Sequence, residues 1–133
     1  MDLSKLNMTE HADKGAEMQV VHPNGEPLEG VTITLLGDDC TLQRQRIAEI
    51  RRKALANKNN FNKVYDKTEE EATNIRVSKT IAWSGVKWGE DDLPCTPENV
   101  RKIYTDGGYK WLVDQVDRFT MDRSNFLSSA DNS

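Results

Sequence analysis

Two cysteines and two histidines are all that a chain of 133 residues offers for soft metal ligation or nucleophile activation. Cys40 and Cys95 lie in unrelated contexts, with no Cys-x-x-Cys pair and no disulfide framework, so reduced thiols are expected. Cys95 stands just before an expected helix N-terminus, a place that can lower a thiol pKa, but no histidine is near it in sequence to act as base. His11 and His22 have no partner at metal-ligand or triad spacing, and His22, next to Pro23, reads as a turn residue. Gly107-Gly108 is a turn rather than a phosphate loop. No apolar run approaches the ~18 residues that a membrane-spanning helix needs. The opening MDLSKLNMTEHADKG lacks the basic-then-apolar order of a secretory signal. The protein is therefore expected to stay in the cytoplasm in which it is made.

Acidic clusters are present, and each has a structural explanation. Gly37-Asp38-Asp39 at the end of an apolar strand has the form of the metal-holding turn of template-copying polymerases. A chain of this length has no room for the further carboxylates and the channel that such chemistry requires. The expectation is that Gly37 turns the chain, Asp39 is the N-cap of the following helix, and Asp38 adds favourable charge at the positive end of its dipole. Glu90, Asp91 and Asp92 lack the ligand order of a calcium loop and read as a solvated acidic loop. Glu69, Glu70 and Glu71 suit a helix start. Nothing in the sequence predicts a catalytic residue, a metal or a cofactor, so an enzyme is not expected.

The composition is 36% hydrophobic and 30% charged, with a mean hydropathy of -0.74, which implies a soluble chain with a lean core. The net charge of -4 is unevenly spread. Between Thr41 and Lys67, Arg44, Arg46, Arg51, Arg52, Lys53, Lys58, Lys63 and Lys67 face only Glu49 and Asp66, so this segment carries +6 and the remainder -10. A basic helix can bind nucleic acid. No aromatic stacking residue is interleaved with the arginines, so a solvated helix face is the favoured reading and nucleic acid is disfavoured.

Hydrophobic periodicity places the elements. Residues 1–16 form a polar arm that Leu3, Leu6 and Met8 could dock. EMQVVH and VTITLL alternate as strands, with PNGEPLEG as turn chemistry between them, and read as a β-hairpin. A first helix is expected from Thr41 to Ala56, with Ile47, Ile50 and Ala54 on one face and Leu42 and Leu55 at its edges, ended by NKNNFNK. A second is expected from Lys67 to Trp83, with Ala72, Ile75, Lys79 and Ala82 on one side and Ile81 adjacent. A Gly- and Asp-rich loop follows. Thr96 as N-cap and Pro97 at the first helical position then open a third helix that ends near Thr105. After Asp106-Gly107-Gly108, a last helix from Tyr109 to Thr120 carries the clearest apolar stripe: Tyr109, Leu112, Val113, Val116 and Phe119. The expected fold is α+β, mainly α, with an N-terminal β-hairpin packed on a bundle of about four helices. It comprises a polar arm (1–16), one domain (17–127; hairpin 17–37, mainly helical 38–127) and a polar tail (128–133), with no internal repeat.

Trp83, Trp88 and Trp111 supply much of the large apolar surface, either to the core or to a partner. Trp83, Gly85 and Gly89 precede Leu93, Pro94, Thr96, Glu98 and Asn99; Leu112, Gln115 and Val116 follow in the last helix, and Asn125-Phe126 closes the series. The front half adds His22, Pro23 and Gly25 in the hairpin, and Gly37 and Asp39 before a basic helix. This set resembles the tail assembly chaperones of long-tailed bacteriophages, over most of residues 1–127.

The resemblance implies a non-enzymatic assembly factor in the host cytoplasm. Such a factor binds the tape measure protein, keeps it soluble, helps recruit tail tube subunits, and is absent from the finished virion. A tape measure protein is a long helical chain with apolar stripes, which an apolar groove on a small acidic domain could cover. Partner contact is expected first at Trp83, Trp88, Phe126 and Leu127, which lie in expected loops or near the C-terminus. Two other roles fit the composition: a structural virion component, such as a minor tail or head-completion protein, and, less well, a small nucleic-acid-binding regulator.

Overall fold

A computed structural model describes residues 2–56 and 61–127, the side chains of 61–68 excepted. The fold is α+β. Among the described residues it has five α-helices and a small antiparallel sheet. Strand β1 (Ala16–Val21) turns through His22–Glu26 into β2 (Pro27–Leu35), and Met18 stands opposite Ile33. Alternation puts Met18, Val20, Ile33 and Leu35 on the covered face and leaves Glu17 and Gln19 exposed. The turn is tied by the His22 N–H donating to the Glu26 carbonyl at 2.7 Å, and the His22 ring Nδ1 accepts from the Asn24 N–H at 3.0 Å. His22 is thus a turn residue.

A third strand departs from the expected architecture. Helix α3 (Phe61–Lys79) stops before Thr80, and Thr80–Ser84 forms β3, antiparallel to β2 on the side away from β1. The helix expected to run on to Trp83 is therefore a helix joined directly to a strand. Thr80-Ile81-Ala82-Trp83 is a β-branched and aromatic run that gains a ladder with the centre of the sheet. No Gly or Pro marks the change. The Thr80 hydroxyl instead donates back to the Arg76 carbonyl at 3.0 Å, and the Leu36 N–H takes the Lys79 carbonyl at 2.9 Å. Ala82, expected on the helix face beside Ile75, belongs to the strand.

Helix α4 (Pro97–Thr105) begins as its sequence requires: the Thr96 hydroxyl accepts the Asn99 N–H at 3.2 Å, with Pro97 at the first position. Helix α5 (Lys110–Met121) follows a 3-10 turn over Gly107–Tyr109. Val100, Ile103 and Tyr104 of α4 and Val116 of α5 meet the covered sheet face and Val77 of α3 in one core. Leu112, Val113 and Phe119 pack against it, so the expected stripe of the last helix is turned inward. Tyr104 is buried, shares a 2.8 Å hydrogen bond with the Thr80 hydroxyl, and has its phenol pushed up to about 12 by desolvation. The segment after β3 forms a small hairpin, β4 (Lys87–Trp88) with β5 (Asp91–Asp92), rather than an irregular loop.

The N-terminal segment does not dock through Leu3 and Leu6, which are 74% and 38% exposed. Helix α1 (Met8–Lys14) is capped by Asn7 and instead buries Ala12 against Gly37. A Cβ at Gly37 would stand 3.0 Å from that of Ala12 and 3.2 Å from the Phe126 ring. Glycine is needed here for close approach rather than for a left-handed turn.

Helix α2 (Thr41–Ala56) overturns the expected cap. Asp39 makes no cap contact; its carboxylate accepts from two nitrogens of the Arg123 guanidinium, Nε at 2.7 Å and Nη2 at 3.1 Å. Asp38 binds the buried Lys79 ammonium at 2.7 Å. The cap is Cys40, fully buried, whose carbonyl accepts the Arg44 N–H at 3.2 Å and whose Sγ receives the Gln43 N–H at 3.4 Å. Asp13 of α1 supplies the missing carboxylate, accepting the Thr41 N–H at 2.8 Å and its hydroxyl at 2.7 Å. Sequence proximity favoured Asp39, but two cations brought from residues 79 and 123 claim the adjacent pair. Of the expected break over NKNNFNK, residues 57–60 lie outside the described residues, but Phe61, Asn62 and Lys63 already belong to α3, which begins six residues before the expected Lys67. The polar tail 128–133 and the side chains of Lys58, Lys63 and Lys67 also lie outside the described residues.

Candidate functional site

Helices α2, α3 and α5 enclose a groove of about 530 Å³. Its apolar lining is Ile47 and Ile50 from α2, Ala72 and Ile75 from α3, and Met121 at the end of α5. The helix periodicity that makes Ile47 and Ile50 a stripe is not matched by full packing. No α2 residue is buried, and Met121 is 68% exposed. The α2 face thus leans on α3 and leaves its apolar side partly open.

Polar groups ring this groove. Lys79, 5% exposed, lies on its wall and reaches both Asp38 (2.7 Å) and the Gln43 side-chain carbonyl (2.6 Å). Arg76 and Asp117 form a two-pronged pair at 2.8 and 2.9 Å. The lining also includes Arg51 and Arg118, both exposed. Arg118 donates to the Asp114 backbone carbonyl at 3.3 Å rather than to a carboxylate. Farther along, Arg46 approaches Glu71 at 3.9 Å.

A second hollow, of about 660 Å³, lies between β1 and α5. Gln115 spans it at one point, accepting the Val21 N–H at 2.9 Å and donating to the Val21 carbonyl. The side-chain amide stands in for a strand partner at the outer edge of β1 and blunts that edge.

The four residues expected at a partner surface separate. Trp83 is half-buried, packs on the core, and donates its indole N–H to the Leu93 carbonyl at 2.7 Å. Phe126 is buried, edge-on to Phe119 at 5.5 Å and against Gly37. Leu127 is half-buried at the last described position. Trp88 is 51% exposed on the small hairpin, 6.2 Å from the Tyr109 ring, with the Lys102 ammonium 5.9 Å above it. Phe126 thus lies beside Phe119 of α5 and Gly37, while Trp88 sits at the surface against Tyr109 and Lys102. Ile47 and Ile50 were legible as part of one face of the first helix, and Ala72 and Ile75 as part of one face of the second; Met121 and Arg118 were on no expected face, and the convergence required the tertiary arrangement.

Burial pushes the thiols of both Cys40 and Cys95 above their ordinary value, so the helix start beyond Cys95 does not activate it. No group of three or more His, Cys, Asp or Glu residues is arranged to hold a metal ion among the described residues. None of the helices is long and apolar enough to cross a membrane, among the same residues. No protein-family model, no curated protein and no solved structure matches the chain.

Proposed function

We propose that this protein is a non-enzymatic tail assembly chaperone of a long-tailed bacteriophage. It binds the tape measure protein in the host cytoplasm, keeps it soluble, and helps recruit tail tube subunits. The observation that carries this proposal is the open apolar groove of α2, α3 and α5. It offers a small domain of net charge -4 a place to cover an apolar stripe on a helical partner. The resemblance carried over most of residues 1–127 supplies the identity of that partner.

Co-expression provides the test. The tape measure protein should be recovered in the soluble fraction in greater yield with this chain than without it. Mass spectrometry of purified particles should find no copy of this chain. Equal solubility with and without it sinks the proposal, and a fixed copy number in the particle replaces it with a structural virion role.

A further inference from the structure

The charges around the groove specify what enters it. Its ionisable lining consists of Asp38, Arg51, Arg76, Lys79, Asp117 and Arg118. Both carboxylates are already taken, Asp38 by Lys79 and Asp117 by Arg76. Arg51 and Arg118 remain, with no carboxylate partner among the described residues, so the rim carries an excess of two positive charges on a protein whose net charge is -4. The same lining includes Ile47, Ile50 and Ile75. We infer that the groove takes an amphipathic helix of a partner protein whose apolar stripe is flanked by carboxylates, with Arg51 and Arg118 pairing to those flanks.

The tail 128–133, SSADNS, offers only Ala130 as an apolar side chain and cannot fill such a groove. A second copy seated through α2 would set one arginine rim against another, and like charges held together repel. The inference rests on the chaperone assignment for the partner's identity but not for its chemistry. The apolar stripe supplies affinity, and the carboxylate flanks supply orientation and selectivity.

Fluorescence anisotropy on the full chain tests it with two labelled peptides of about 18 residues, roughly five helical turns. Both carry the same leucine stripe; one is flanked by glutamates, the other by lysines. The glutamate peptide should bind about tenfold more tightly, and the gap should shrink as salt rises from about 0.1 to 1 M. The double variant Arg51→Glu/Arg118→Glu, which alters exposed side chains, should reverse the preference. Ile50→Asp should abolish binding of the glutamate peptide, with circular dichroism melting to confirm the fold.

Equal binding of the two peptides, or of neither, overturns the inference. So does capture of an oligodeoxythymidine by the same arginines, which is nucleic-acid binding, or a dimer that Ile50→Asp dissociates, which is self-association. Tape measure solubilisation that persists in a folded Ile50→Asp protein removes the groove and leaves the chaperone role. Retained peptide selectivity without solubilisation does the opposite.

Discussion

The carboxylate of Asp13, at the end of α1, caps α2 by holding Thr41 through both its N–H and its hydroxyl, at 2.8 and 2.7 Å. One contact thereby fastens the N-terminal helix to the basic helix that walls the groove. The first N–H groups of a helix have no partner of their own, and this one finds an acceptor 28 residues away.

Asp13→Ala should therefore destabilise the protein by about 1 kcal/mol, the usual cost of losing a cap. Asp39→Ala should cost less, because Asp39 pairs with an arginine that is 69% exposed and well screened. Thermal melting of the two variants decides the order. The reverse ranking would return the cap to Asp39.

The Asp39–Arg123 pair sets a pH dependence. The guanidinium holds the Asp39 carboxyl below its ordinary value of 3.8. A carboxyl whose folded pKa is depressed stabilises the fold above its unfolded pKa and loses that contribution as pH falls through the folded pKa. Arg123→Gln should melt slightly below the parent near neutrality, with the two curves converging as pH falls through the lowered Asp39 pKa. A constant offset over the whole range would assign Arg123 a role other than this ion pair.

Phe126 and Trp88 should behave as opposites. Phe126 is 8% exposed and stacked edge-on against Phe119, so Phe126→Ala should cost about 3–5 kcal/mol. Trp88 is half in solvent, and Trp88→Ala should change stability by less than about 1 kcal/mol. Chemical denaturation of both measures this. Equal losses would mean that the Trp88 ring is held by more than Tyr109 and Lys102.

Gly85 should tolerate no side chain. Its φ is +76°, and a Cβ there would fall 2.2 Å from the Gly30 carbonyl oxygen. Gly89 has φ +68° but open space around it. Gly89→Ala should lose about 1–2 kcal/mol for the left-handed backbone alone. Gly85→Ala should lose clearly more, because two backbone segments must separate. Comparable melting temperatures would show that the β2–β3 end yields easily.

Local physics made several elements legible. The alternation of Met18, Val20, Ile33 and Leu35 announced the hairpin, Thr96-Pro97 announced the start of α4, and the spacing of Leu112, Val116 and Phe119 announced the buried face of α5. Each depends on neighbours within a turn or a strand length. What failed was decided over longer distances. Thr80–Ser84 carries no break from helix to strand in its own residues, and it is extended because β2 offers it a ladder. Asp39 had the right position for a cap, but its carboxylate is taken by Arg123, 84 residues on, and Asp13 caps the helix instead.

The candidate site divides in the same way. Sequence alone determined that Ile47 and Ile50 share one helix face, that Ile75 lies on another, and that the stretch holding Arg51 is basic, since these follow from 3.6-residue periodicity and composition. Only the tertiary structure brought those faces together with Met121 and Arg118 around one groove, and drew Phe126 into the core while leaving Trp88 outside. The physical reason is that an apolar side chain is driven to bury wherever the fold provides a surface, and which surface reaches it is settled by packing between elements far apart in the chain.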